Sequence, residues 1–286
     1  MTFLITKTHG PLGAEIGGVD LSQPLDHVTQ KQIYEAWLAH SVIVFRGQRL
    51  TDEALAAFSA RFGRLERAPI VEKHSQGRSN LPTIPEVAVI SNVLENGVPI
   101  GALGDGELVW HSDMTYIETP PPASILYGVE VPRVGADTWF NSMYRAYESM
   151  PPALRKRIET LFCNHDAAHT SAGTLRRGFE DVKDVTQVPG AKHSMVLTHP
   201  QTGRKALYLG RRDWAWIVGL SIAESEALLD EVWQYAKQPD IAFAHKWQVG
   251  DVVMWDNRCV MHRRDAFDPT ARRVLHRTQL IDFTVH

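Results

Sequence analysis

Two cysteines, Cys163 and Cys259, are all that 286 residues contain. That is too few for a disulfide framework or a cysteine-based zinc site, and a reducing compartment is the simplest reading. No stretch approaches the roughly 18 consecutive apolar residues of a membrane span. The opening Met1-Thr2-Phe3-Leu4-Ile5-Thr6-Lys7 has no long apolar core followed by a small-residue cleavage site, so no secretory signal and a cytoplasmic location are expected. Neither sign of charge dominates: 30 basic and 33 acidic residues leave a formal charge of -3. This excludes a nucleic-acid binder that works through bulk positive charge, but not a local basic pocket. No Gly-x-Gly-x-x-Gly follows a strand pattern, and there is no Walker loop, internal repeat or Pro/Ser-rich linker.

What is present is a globular composition, 44% hydrophobic and 22% charged. Apolar spacing predicts helices over 29–40, with Thr29 as cap, and over 51–62, with Thr51 as cap. Further helices are expected over 143–150, 153–162 and 221–237. Strands are expected over 41–45, 87–92, 124–131, 138–140, 195–198, 206–209, 242–247, 251–255 and 274–283. Gly250-Asp251 reads as a hairpin turn. Residues 73–86 read as a mobile loop with a lid or binding role, 97–106 as a second loop with four glycines, and 163–192 as irregular. Strands interrupted by helices, without regular alternation, predict one β-rich α+β domain over 1–286. The expected architecture is a double-stranded β-helix (jelly roll) with helical additions.

Three signals carry chemistry. In Trp110-His111-Ser112-Asp113, residues two apart on an extended segment point to one side, so His111 and Asp113 can reach one metal ion. His-x-Asp alone is near chance frequency. Far downstream, the apolar run from Val252 delivers His262 just beyond a turn. Arg273 and Arg277 follow; four apart, they share a strand face, and if turned inward they need anions to offset their burial. Taken singly, each has a plain alternative: a polar strand end, a hydrogen-bonded core histidine, a solvated basic turn with Arg263, Arg264 and Arg272. Together, two histidines and one aspartate make the facial triad of non-haem Fe(II) oxygenases, with positions left open for a 2-oxo acid and dioxygen. An arginine can hold the remote carboxylate of that acid.

With these residues in view, the chain resembles the TauD/TfdA family of Fe(II)- and 2-oxoglutarate-dependent dioxygenases. The matching stretches are Gly13 to Asp20, Val44 to Gln48, Trp110 to Asp113, Pro120 to Ala123, Gly135 to Thr138, Thr198 to Lys205, and Trp255 through His262 to Arg277. The resemblance implies Fe(II) held by His111, Asp113 and His262, and the distal carboxylate of 2-oxoglutarate held by Thr138 and Arg273. It also implies Arg277 facing the substrate's anionic group, and a homo-oligomer. The stretch from Val249 to Arg273 is nearer the phenoxyacetate-degrading branch. Gly104 to Val109 lacks the Asn- and Asp-rich run of taurine enzymes, and Ala68-Pro69-Ile70-Val71 lacks their histidine and tyrosine. The implied reaction is hydroxylation of a small organic anion by O2, such as a phenoxyalkanoate, with release of succinate and CO2 and cleavage where the carbon carries an ether oxygen. The alternatives are an alkylsulfonate or alkyl sulfate-ester dioxygenase, and a non-catalytic cupin-like binding protein. Asn92 and His74 are further pocket candidates. Trp110 and Trp255 read as pocket walls or plain core aromatics. His165, Asp166 and His169 read as a polar mobile segment or a metal site, and Arg211 to Trp216 as a surface turn, a pocket element or an oligomer contact.

Overall fold

The computed structural model describes residues 2–67, 84–106 and 108–284. Its centre is a pair of sheets. The larger runs in the order Leu4–Lys7, Ala14–Gly17, Val42–Phe45, Val252–Asp256, Ala123–Glu130, Val274–Leu280, Ala88–Ser91, Ala102–Leu103. The smaller runs Ala242–His245, Thr138–Ser142, Val260–Arg264, Leu108–His111, with every pair antiparallel. From Ala123–Glu130 onward the chain passes between the two sheets, to Thr138–Ser142 and, after a long excursion, from Ala242–His245 to Val252–Asp256, Val260–Arg264 and Val274–Leu280.

That alternation corrects the expected hairpin at Gly250-Asp251, because the strands flanking it lie in different sheets. The turn is a crossover pinned to the Arg46–Gln48 segment. Gln48 N donates to the Gly250 carbonyl at 2.7 Å, and Arg46 Nη1 donates to Asp251 Oδ2 at 2.6 Å. Gly250 has φ of 88°, and a Cβ there would stand 2.6 Å from the Gln48 carbonyl oxygen, so glycine is required on both counts.

The period of two along each strand builds two cores on the faces of the large sheet. Val42, Val44, Val253 and Trp255 face the small sheet and pack in one cluster with Phe140, Val260 and Met261. Ile43, Phe45, Val252 and Met254 face the other way, onto Ile33 and Trp37 of the helix His27–His40 and Leu55 and Phe58 of the helix Asp52–Ser59. A strand covered on both sides has no polar face, which is why Val42-Ile43-Val44-Phe45 is apolar throughout. Each such side chain contributes about 1.5–3 kcal/mol on burial.

Helix ends follow local chemistry. The first helix starts earlier than expected because Asp26, not Thr29, caps it: the Asp26 carboxylate accepts from Thr29 N at 2.7 Å. Thr51 caps the second as expected. That helix ends at Ser59 rather than 62. Its Oγ bonds back to the Leu55 carbonyl at 2.8 Å, and the following amides tighten to i−3 bonds.

The excursion carries helices Met143–Ser149, Pro152–Ile158 and Ile222–Ala236, a three-stranded sheet (Gly190–Ser194, Phe162–Asp166, Trp216–Ile217) and the strand pair Val196–Thr198 with Lys205–Leu207. The stretch 163–192 is therefore not irregular throughout: both its ends are strands, paired through Cys163↔His193 and His165↔Ala191. The second expected loop holds the short strands Val98–Pro99 and Ala102–Leu103. Of 73–86, only 84–86 falls within the described residues; His74 and Ala68 to Val71 fall outside them. No helix among the described residues is long and apolar enough to cross a membrane.

Candidate active site

His111 ends the strand Leu108–His111, and His262 is the middle residue of Val260–Arg264. His262 was expected beyond a turn, but it lies on a strand as the direct cross-strand partner of His111. Their rings stand 4.2 Å apart, centroid to centroid. Asp113 follows two residues after His111, just past the strand end. Its Oδ1 lies 3.7 Å from His111 Nε2 and 3.8 Å from His262 Nε2. Donor atoms less than about 4.2 Å apart can share one ion at roughly 2.1 Å from each. Met114, next in the chain, is held at φ of 51°, a left-handed conformation that costs a non-glycine residue about 1–3 kcal/mol. The strain sits where the chain turns away from Asp113.

The protonation states suit a metal. Burial pushes both imidazoles toward the neutral form, His262 down to about 3. His111 Nδ1 lies 2.7 Å from the Val109 carbonyl; as donor there it leaves Nε2 with its lone pair toward Asp113. Burial opposes the Asp113 charge, but its neighbours, the Arg277 guanidinium and the Ser124 hydroxyl among them, outweigh it and hold the carboxyl below its usual range. Asp113 Oδ2 accepts from Ser124 Oγ at 2.6 Å and from Gln279 Nε2 at 3.3 Å. Ser124 Oγ is itself held by Asn257 Nδ2 and Gln279 Nε2, both at 3.0 Å. One carboxylate oxygen is thus braced while the other faces the imidazoles.

A second buried cluster, His199, Asp256 and Cys259, has similar spacing but no free donors. His199 Nε2 bonds Asp256 Oδ2 at 2.9 Å, and Arg258 donates to both Asp256 oxygens. Burial raises the Cys259 thiol, which therefore stays protonated. This cluster is an interior brace.

A cavity of about 350 Å³ opens beside the triad, within the usual range for small-molecule sites. Val89, Ile90, Leu103 and Met114 give it an apolar wall, and Arg277 lines it with its guanidinium 4.0 Å from Asp113 Oδ2. Arg277 Nε is buried without a partner. Arg273 is 2% exposed, and no ion pair holds it among the described residues. The rings of Trp247 and Phe267 lie 6.0 Å from its guanidinium carbon, and burial brings its pKa down to about 9. Trp247 Nε1 donates to Thr138 Oγ1 at 2.9 Å, so Thr138 and Arg273 flank one indole. A dry, unpaired guanidinium of this kind fits an incoming carboxylate.

Asn92 does not line this cavity. Its Nδ2 donates to the Ala271 and Pro269 carbonyls at 2.9 and 3.3 Å, and its Oδ1 accepts from Arg273 N at 3.0 Å. Its amide is spent on the turn that presents Arg273, which corrects the expected substrate contact. Trp255 is core, with its ring 4.9 Å from that of His262, and Trp110 lies under Arg263; neither lines the cavity. His165, Asp166 and His169 are buried rather than a polar mobile segment. Asp166 is consumed by Arg211 Nη2 at 2.7 Å and by His169 Nδ1 at 3.1 Å, so the three form no metal cluster. Arg211 lines the cavity instead of forming a surface turn.

The pattern of residues missed Ser124 and Gln279. Gln279 had a readable signal, since it lies two residues beyond Arg277 on one strand and so on the same face. Ser124 had none, because a serine opening an apolar strand is ordinary.

The family model "Taurine catabolism dioxygenase TauD, TfdA family" matches residues 4–279. The chain belongs to this family. It is 33% identical to an alpha-ketoglutarate-dependent 2,4-dichlorophenoxyacetate dioxygenase of Cupriavidus pinatubonensis, over 100% of both chains. It is 32% identical to pentalenolactone F synthase of Streptomyces avermitilis, over 97% of this chain and 94% of that one. Among solved structures, AAD-2 in complex with Mn(II) and N-oxalylglycine superposes with a TM-score of 0.78 at 29% identity, covering 98% of this chain and 97% of the other. The chain is accordingly an Fe(II)- and 2-oxoglutarate-dependent dioxygenase, and the non-catalytic binding protein falls away.

Proposed function

We propose that His111, Asp113 and His262 hold Fe(II), that Thr138 and Arg273 receive the distal carboxylate of 2-oxoglutarate, and that Arg277 receives the anionic group of the substrate. The observation that carries this reading is the convergence of two neutral imidazoles and one ionised carboxylate, with the guanidinium of Arg277 at 4.0 Å from that carboxylate and its Nε buried without a partner. We read the strands that pass between two sheets as a double-stranded β-helix forming one domain, which brings two neighbouring strands of the small sheet and one of the large sheet to a single centre.

Bound there, iron with 2-oxoglutarate and O2 supplies the capacity to oxidise an aliphatic C–H bond. The chain's own residues do the rest. The Val109 carbonyl fixes the His111 tautomer, and Ser124 and Gln279 fix the Asp113 carboxylate, so these two donors are set before anything binds. Arg277, 4.0 Å from Asp113, holds an anion next to the ligand set. The apolar wall takes an apolar body and keeps water from the reacting carbon. The substrate class that fits is a small anion with an apolar body, and the reading commits to a carboxylate such as a phenoxyalkanoate. Release of succinate and CO2 accompanies hydroxylation; where the carbon bears an ether oxygen, the product breaks down and the bond is cleaved.

A panel that keeps the carbon skeleton and changes carboxylate to sulfonate or sulfate ester tests the class. Consumption of 2-oxoglutarate coupled to the carboxylates is expected; preference for the sulfate ester would move the enzyme to that class. Arg277→Ala should raise KM for the anionic substrate by about tenfold or more, since one partner of a charge pair is lost. An unchanged KM would remove Arg277 from the substrate site.

A further inference from the structure

Resting on the co-substrate reading above, we infer that Arg264 is a second cationic residue for the distal carboxylate of 2-oxoglutarate, so that the carboxylate is clamped between Arg264 and Arg273. Arg264 lies two residues after His262 on one strand, so the two side chains share a strand face. Its Cα partner across the small sheet is Thr138. It is 3% exposed, although Arg263 beside it in sequence is more open. Arg264 and Arg273 are close enough for each guanidinium to approach the ring of Phe267, at 5.2 and 6.0 Å.

The hydrogen-bond inventory shows what Arg264 has left to give. Nη2 donates to the carbonyls of Leu103 and Gly106, which anchors the head group. Nε and Nη1 are buried and have no partner, and Arg273 Nε is buried without one as well. No carboxylate lies within ion-pair distance of either arginine among the described residues. Two like charges in a dry interior cost several kcal/mol each unless an anion joins them. A purely structural Arg264 would need only the two carbonyl bonds, which a shorter neutral donor supplies. A carboxylate placed between the arginines satisfies the orphan donors and separates the charges.

The test measures binding rather than turnover. Fe(II)-loaded protein is titrated anaerobically with 2-oxoglutarate, and separately with 2-oxobutyrate, which chelates alike but lacks the distal carboxylate. Arg264→Met keeps the length of the stem over Phe267. It should weaken 2-oxoglutarate about tenfold or more, the scale of a lost charge-assisted bond, and leave 2-oxobutyrate unchanged. Arg264→Lys should fall between, because one ammonium cannot both hold two carbonyls and reach the anion. If the methionine variant fails to fold, the lysine variant decides by the same ratio. Equal losses for both 2-oxo acids, or constants like the wild type for both, would make Arg264 a structural residue and overturn the assignment. A wild type that chelates neither acid would remove the co-substrate reading itself, and Arg264's role with it. A wild type that binds both equally would remove the distal clamp alone.

Discussion

At the scale of single residues, the site is defined by which polar atoms are spent and which are left over. Asp113 spends Oδ2 on Ser124 and Gln279 and keeps Oδ1; His111 spends Nδ1 on Val109 and keeps Nε2. His199, Asp256 and Cys259 are as close together but keep nothing, which separates a brace from the proposed metal site. The bracing of Asp113 has a measurable consequence. Ser124→Ala removes the shortest bond to Oδ2 and should lower Fe(II) or Mn(II) affinity by about 10- to 100-fold, the usual cost of losing such a partner. Metal titration checks this, and unchanged affinity would mean that Gln279 alone orients the carboxylate.

At the scale of elements, the features legible in sequence were those with a local cause. The apolar run 42–45 and the helix over 222–236 follow from spacing and capping alone. Ser221 and Glu224 form a reciprocal capping box, with Ser221 Oγ accepting from Glu224 N at 3.3 Å and Ser221 N donating to Glu224 Oε2 at 3.0 Å. Ser221→Ala should therefore cost about 1 kcal/mol of stability in denaturant titration while leaving metal and 2-oxoglutarate binding as they are. What misled had non-local causes. The strand at 162–166 carries Asn164 and Asp166 because their polar groups are met by partners outside the strand, the Val188 carbonyl and Arg211. Gly250-Asp251 has hairpin composition, but its crossover is dictated by Gln48 and Arg46, some 200 positions away. Of the proposed site, Asp113 and the residues the structure brings within 4.0 Å of it, His111, His262 and Arg277, were legible as a spaced set. Asn92 was placed wrongly, because an amide that holds a turn and one that holds a substrate look alike in sequence.

At the scale of the whole molecule, the two sheets form a scaffold whose core is complete without ligand while its centre is not. Residues from Leu108–His111 and Val260–Arg264 in one sheet, and from Val274–Leu280 in the other, meet at positions of unpaired charge and unspent donors. Anything that binds there ties the sheets together and stabilises the native state by mass action, by about 2.7 kcal/mol at a ligand concentration of 100 times Kd. Mn(II) with 2-oxoglutarate should thus raise Tm by several degrees, more than either alone, and a chelator should reverse the rise. No shift with saturating ligand would place the binding elsewhere.

The central claim is that this chain holds Fe(II) on His111, Asp113 and His262 with room and charge for a 2-oxo acid beside it. The most direct measurement is an anaerobic titration of the Fe(II)-loaded protein with 2-oxoglutarate, followed by the visible charge-transfer absorption of the chelate. A band that saturates at one equivalent, and is lost in His262→Ala, is the expected result. Bound Fe(II) with no band at any 2-oxoglutarate concentration would contradict it.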